Sequence, residues 1–328
     1  MSQRANILFA FAVAMLLFAA WHVRSVLLLI YIAALFAVVI TPGVESVQRL
    51  HIGKWHPNRG VAIVVILVVL LAAITLFLVF AIPPIFNDLQ SFSRDLPAKI
   101  SRANQRLQHL PFTDRLDVSA LQQHLAGAVG GILGLVTGIA GGVFGFFSWI
   151  ILTAYFIIDG RRAFHWVLSM IPAHHRPRLK ETAVRAETRV SKWLLGQLML
   201  MLILGTLSTV VWGFMHVKYF YALGVFAGVA NIVPIVGPLI SVSLAAIVAA
   251  FDSWTKAIGV IAFYLIYQQI ENAYLTPKIM KSTVDLPALA VIVALTIGGS
   301  LAGILGALVA VPTAALIAVI LDEYVITD

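Results

Sequence analysis

Between Tyr219 and Phe251 the chain runs for 33 residues without a charge, and Asn231-Ile-Val-Pro234-Ile-Val-Gly237-Pro238 interrupts that run at its middle. A straight helix of this length would extend about 50 Å, well beyond a hydrocarbon core of roughly 30 Å. Two prolines and a glycine within five positions remove backbone donors and stop the helix near its midpoint. Backbone freed in this way at membrane depth persists only where protein buries it or a watery cavity bathes it. Transporters build substrate sites from broken segments of this kind.

The rest of the chain fits the same setting. Hydrophobic residues make up 61% of 328, charged residues 11%, and the mean hydropathy is +0.99. An ordinary soluble domain carries about 25% charge, so the composition points to a polytopic membrane protein. The net charge of +8 does not call for nucleic acid, because its excess lies in loops where Lys and Arg are retained on the cytoplasmic side. With no cysteine, disulfides, thiolate catalysis and Cys-ligated metals are excluded.

Apolar blocks occur at Ala5–Trp21, Ser25–Ile40, Val61–Ile82 (ending at Pro83-Pro84), Ala128–Ile158, Trp193–Met215 and Trp254–Leu275. A further uncharged block, Leu286–Leu321, is 36 residues long and is interrupted by Gly298-Gly299-Ser300 and Gly303. The first block is read as an uncleaved span rather than a signal peptide, since a second follows at once. Phe92, Leu96, Ile100 and Leu107 recur at helical spacing within the charged segment Phe86–Ala126, which predicts amphipathic helices outside the bilayer. The basic loop Gly160–Lys192 carries eight Lys or Arg and the loop Gly43–Gly60 three. Both are assigned to the cytoplasm, with the N-terminus on the same side.

This pattern predicts an all-α polytopic membrane protein with about five to six full spans and amphipathic helices in an extramembrane loop. Two broken or re-entrant hairpins are expected in its C-terminal half. The predicted units are N-terminal transmembrane helices (1–84), the extramembrane segment (85–127), a Gly-rich span with the basic loop (128–192) and a transport core (193–328). The hairpins would enter from opposite faces, the plan of an inverted-repeat transporter. Ala222-Leu223, Val225 and Gly237 are echoed by Ala288-Leu289, Val291 and Gly303 at a constant offset of 66. By length alone, two ordinary crossings or a tilted helix fit each long block equally well.

Gln268, Glu271 and Asn272 step by three and four residues and share a helix face. An ionisable group in or near a bilayer is costly and faces a pathway or a partner. Glu271 is therefore either a substrate or ion contact, or an interfacial carboxylate anchored by water or by a Lys such as Lys278. The Asn231 amide can serve freed backbone, a polar substrate, or both. Gly130, Gly134, Gly138 and Gly142 recur every four residues, spacing that lets helices approach closely, within or between protomers. The histidines lack metal-like spacing, and no zinc helix, phosphate loop or nucleophile elbow is present. No cofactor, metal or catalytic residue is expected, and without an ATP site the chain does not read as a primary pump.

Asn231-Ile-Val-Pro-Ile-Val-Gly-Pro238, followed by Gln268-x-x-Glu271-Asn272-x-x-x-x-Pro277, resembles the autoinducer-2 exporter family of membrane transporters. Leu286-Pro287, Gly298-Gly299, Gly303, Gly306 and Val311-Pro312 are similar to that family's C-terminal pattern, although Lys281 replaces a common glycine and Leu286 a frequent His. The resemblance implies export of a small polar molecule such as a quorum-sensing signal, or in some members sodium–proton exchange. It also implies a homo-oligomer, a pentamer being one form, that works by elevator-like alternation in a bacterial cytoplasmic membrane. Asn231, Pro234, Gly237 and Pro238 would then form one wall of the pathway and Gly298, Gly299 and Gly303 the other. Gln268, Glu271, Asn272 and Pro277 would contact substrate or a coupling cation, proton or sodium. The alternative of another class is a membrane scaffold that uses its loops to bind partners.

Overall fold

A computed structural model describes residues 3–49, 57–107, 143–280 and 287–325, together with the helical positions Gln123, Gly127, Gly130, Gly131 and Gly134. Among the described residues all regular structure is helical. The elements are α1 (Gln3–His22), α2 (Arg24–Gln48), α3 (Arg59–Leu107), α4 (Val143–Ser169), α5 (Arg176–Phe214), α6 (Phe220–Ala230), α7 (Val236–Ala250), α8 (Trp254–Ile270) and α9 (Ala288–Tyr324). Four stretches are long and apolar enough to cross a bilayer: Arg24–Gln48, Arg59–Asp95, Ala173–Phe214 and Leu305–Tyr324. Beside them stand the shorter apolar helices Phe220–Ala230, Val236–Ala250 and Leu289–Gly303.

Both long apolar blocks of the C-terminal half fold as hairpins. In hairpin 1, α6 and α7 are 11 and 15 residues long, about 16 and 22 Å at the α-helical rise. Neither reaches across the hydrocarbon core. In hairpin 2, α9 is broken at Ala302 (φ −143°, ψ 23°) and Gly303 (φ 59°, ψ −138°). Gly298 and Gly306, each four residues from Ala302, bring the two arms backbone to backbone. A Cβ added at either would collide with the other's carbonyl oxygen.

Two features differ from the expected layout, and the first two apolar blocks fold as two separate helices as expected. Val61–Ile82 does not end at Pro83-Pro84, because α3 runs through both prolines for 49 residues. Ala81 and Ile85 are buried against Ala222 of hairpin 1, and Phe92 lies in the main core with Leu223 and Ala227. The Asp88 carboxylate accepts the Ala222 N–H (3.2 Å) at the start of α6, and the Tyr219 hydroxyl donates to Asp95 (2.8 Å). Tertiary packing thus overrides the helix-breaking preference of the two prolines. The basic loop is likewise helical over most of its length, forming the end of α4 and the first turns of α5. Finally, α1 and α2 are joined through Val23 alone, and the side chains of Phe9, Phe11, Met15 and Phe18 stay exposed along α1.

The core is arranged around α2 and α5. On one side α2 packs on α3 and α4 through Ala37, Val44, Ala62, Ile63 and Ile157, and on the other it meets α5 and α9 at Leu35, Val190, Val309 and Ala315. Close approach of α5 to α6 depends on glycine. A Cβ at Gly224 would strike Thr209, and one at Gly228 would strike Gly205 and the Met201 carbonyl. Gly224-x-x-x-Gly228 is the small-residue spacing that joins helices in lipid.

The contacts also sort the two ends of the bundle. At one end Arg59 donates to the Ile157 carbonyl (2.8 Å), and Arg161 pairs with Glu45. At that same end Arg178, Arg185 and Arg189 of α5 hold Glu323 and Asp322 at the close of hairpin 2. Hairpin 1 is anchored to α3 at the other end. The two hairpins therefore enter the bundle from opposite ends.

Candidate functional site

The site is assembled at the tip of hairpin 1. Asn231 ends α6 (φ −62°, ψ −5°), and Pro234 has no N–H with which to continue the helix. The chain then turns back through Ile235, whose φ of 69° is rare for a β-branched residue. The Val236 N–H bonds the Pro234 carbonyl at 2.7 Å and closes a tight three-residue turn. Directly after it, Gly237 donates its N–H to the Val233 carbonyl (2.9 Å). It lies so close to Ala230 that a Cβ would overlap that residue's carbonyl. Gly237 and Pro238 are buried, while Ile235 and Val236 are exposed.

A break of this kind inside a protein must find partners for its polar groups. The Asn231 carbonyl takes the Gln197 side-chain amide from the middle of α5 at 2.5 Å. Gln197 is itself buried. Ser241 turns back to the Gly237 carbonyl at 2.8 Å. One group stays unmet: the Asn231 side chain is 1% exposed, and its Nδ2 has no hydrogen-bond partner. A buried donor left bare costs about 1–3 kcal/mol.

The second half of the site is the end of α8. Helices α7 and α8 run antiparallel and share the main core through Val242, Ala245, Val248 and Ala249 against Ala257, Val260 and Tyr267. The start of α7 and the finish of α8 therefore lie at one level. From Glu271 to Leu275 the helix widens into a π turn, in which the Thr276 N–H reaches back to the Glu271 carbonyl. The cause is local, since Pro277 cannot donate and the preceding turn opens to compensate. Ile279 and Met280 then pack on Gly196, next to Gln197. Met280 and Val233 meet around Trp193, together with Leu295, Ala310 and Val311 of hairpin 2.

Glu271 is 9% exposed, and its carboxyl lies against the hydroxyl of buried Tyr267. The Tyr264 hydroxyl neighbours that carboxyl as well. Lys278, the cation within reach by sequence, instead donates to the Tyr274 hydroxyl (2.9 Å) and lies over that ring. Gln268 donates to Asn272 at 3.2 Å on a more exposed face, and Pro277 is exposed.

Asn231, Pro234, Gly237 and Pro238 thus form one tip, at the level of Gln268, Glu271 and Asn272. Gly298 serves the packing of hairpin 2's arms, whereas Gly299 and Gly303 have nothing within 4 Å of where a Cβ would stand. The space at Gly130 and Gly134 is equally open, and Gly138, Gly142, Lys281 and Leu286 lie outside the described residues. Among the described residues no cluster of His, Asp or Glu forms a metal site. Sequence reasoning missed Gln197, although a lone amide in an uncharged span is itself a signal that a buried partner exists. The Gly205–Gly228 contact was also missed, for all that Gly224-x-x-x-Gly228 was readable.

Two interrupted helical hairpins inside an apolar bundle, one of them with a polar tip, define an integral membrane protein of transporter type. The AI-2E family transporter profile matches residues 9–326. The chain belongs to the AI-2E transporter family, and its role is membrane transport. It is 27% identical to the putative transport protein YrrI of Bacillus subtilis, over 92% of this chain and 87% of that one. Identity to B. subtilis YueF, another putative transport protein, is also 27%, over 71% of this chain and 66% of YueF. The AI-2 transport protein TqsA of Escherichia coli K12 is 23% identical over 89% of this chain and 85% of its own length.

Proposed function

We propose that the chain is a secondary transporter that exports a small polar organic molecule, such as a quorum-sensing signal, by elevator-like alternating access. One observation carries this: the Asn231 Nδ2 donor is buried without a partner at a broken hairpin tip, at the level of the π turn that holds buried Glu271. A buried donor left bare costs about 1–3 kcal/mol, and a polar guest at the tip would offset it. Asn231, Pro234, Gly237 and Pro238 form the fixed wall of the pathway. Gln268, Glu271, Asn272 and Pro277 contact the guest or a coupling cation, proton or sodium. Gly298, Gly299 and Gly303 belong to the opposing hairpin. Similarity to TqsA, an AI-2 transport protein, supports a signal molecule as cargo. The protein works as a homo-oligomer in a bacterial cytoplasmic membrane with its N-terminus inside, and the glycine stripe Gly130, Gly134, Gly138 and Gly142 serves helix packing, within or between protomers.

The buried carboxyl of Glu271 favours one second reading, exchange of sodium or lithium for protons. Vesicle transport separates the two. With autoinducer-2 as probe, Glu271→Gln and Asn231→Ala should each slow efflux by about tenfold or more, the equivalent of about 1.4 kcal/mol, while insertion stays normal. Efflux at wild-type rate in both variants removes the site. Proton movement driven by sodium or lithium, with no efflux of the probe, selects the exchanger.

A further inference from the structure

Helix α4 is 27 residues long, about 40 Å at the helical rise, against a hydrocarbon core of roughly 30 Å. Its surplus lies at the end that carries the Arg59–Ile157 and Arg161–Glu45 contacts, where the last two to three turns leave the apolar zone. On those turns Arg162 and Trp166 lie four residues apart on one face, and Met170 follows directly after the helix end. Trp166 is 63% and Met170 64% exposed, and Val167 beside them is 48% exposed. Leu168, on the far side of the helix, is buried. Arg161 is taken by Glu45 and Arg176 by the carbonyls of Ser169 and Ile171. Among the described residues, Arg162 has no ion-pair or hydrogen-bond partner. The surrounding segment is strongly cationic, with eight Lys or Arg between Gly160 and Lys192 against Glu181 and Glu187.

We propose that the Arg162–Trp166 face of α4, together with Met170 just beyond the helix end, is a docking surface for the headgroup of an anionic phospholipid in the leaflet bordering this basic end. Four features select lipid as the occupant. Arg162 lies at headgroup depth, about 6 Å beyond Ile158, the last residue of the apolar block. One turn farther out, Trp166 supplies an amphipathic ring of the kind that favours the interface. The Arg162 guanidinium is a planar fork of donors matched to a phosphate. The local excess of positive charge suits a negative leaflet and not a basic or neutral partner.

The test is native mass spectrometry of the full chain released from vesicles of phosphatidylcholine mixed with phosphatidylglycerol. The wild type should retain phosphatidylglycerol preferentially. Arg162→Gln should reduce that preference about fivefold, as expected for one cation worth about 1 kcal/mol at an anionic surface. Arg162→Lys should recover part of it, and Trp166→Ala should weaken retention of both lipids. Variants are compared only where size-exclusion and circular dichroism profiles match the wild type. Equal retention of both lipids by the wild type, or an unchanged preference in Arg162→Gln, overturns the proposal. So does efficient disulfide cross-linking of Met170→Cys between two copies in vesicles, which would make this face a protomer contact.

Discussion

Hairpin 1 spends five residues, Asn231–Ile235, on its reversal, with Asn231 buried and the next three half-buried before Ile235 emerges, whereas hairpin 2 reverses at Ala302–Gly303 with that turn exposed. The first tip is polar and held by side chains: Gln197 of α5 bonds the Asn231 carbonyl and Ser241 of α7 bonds the Gly237 carbonyl. The second is small and apolar, and no described side chain fills the space at Gly299 or Gly303. One hairpin is a built wall, and the other can shift its tip without unpacking a core. Low contact density is what local motion requires. Under the alternating access proposed above, this asymmetry would make hairpin 1 the fixed side and hairpin 2 the yielding one.

The largest effect should come from crowding the wall. Gly237→Ala places a methyl group on the Ala230 carbonyl, and the neighbouring Pro234 and Pro238 leave the backbone little freedom to withdraw. Overpacking of this kind costs about 1–3 kcal/mol and sometimes more. The yield of monodisperse protein and its thermal midpoint in detergent should both fall sharply. The matched change in hairpin 2, Gly299→Ala, meets open space inside a helix and should be neutral or gain up to about 1 kcal/mol from helix propensity. Equal effects at the two glycines would erase the distinction between the hairpins.

A middling effect is expected where hairpin 2 turns. Gly303 combines φ 59° with ψ −138°, a conformation that costs an L side chain on the order of 1–3 kcal/mol. Gly303→Ala therefore strains the turn although nothing stands in the way of the methyl group. Its thermal midpoint should lie between those of Gly237→Ala and Gly299→Ala. A midpoint matching Gly299→Ala would mean that the turn can re-form at another residue, so that its position is not fixed by backbone conformation.

Much of this contrast was legible in the chain itself. Two prolines and a glycine in five positions announced the first break, and Gly298 to Gly303 the second. Glu271 stood out as a lone carboxylate in apolar surroundings. What could not be read was which partners these groups would find. Pro83-Pro84 looked like a helix end because local rules say so, and only the packing of Ala81 and Ile85 on Ala222 keeps α3 going. Lys278 looked like the partner of Glu271 by sequence distance, yet the π turn that Pro277 forces sends it to Tyr274. The link from Gln197 to Asn231 spans 34 positions, beyond what periodicity can see. Local breaks are written in residue type, whereas their closure depends on tertiary neighbours.

The smallest effect concerns how each hairpin is held at its base. Hairpin 2 is fastened to α5 by Arg178 and Arg185 on Glu323 and by Arg189 on Asp322, at 2.9–3.1 Å. The Arg178 guanidinium also lies 4.6 Å from the centre of the Tyr324 ring. These arginines are largely exposed, so each pair is worth about 0–1 kcal/mol and is screened by salt. Glu323→Gln, which weakens two pairs at once, should lower the thermal midpoint slightly in dilute buffer and not at all at about 1 M salt. Asp88→Asn acts on hairpin 1 instead, where a part-buried carboxylate accepts the Ala222 N–H at the positive end of a helix. Its deficit should persist at high salt, because the contact is shielded from bulk ions. Should the two variants share one salt dependence, both hairpins would be fastened by the same exposed electrostatics, and the difference between wall and yielding side would have to lie in the tips alone.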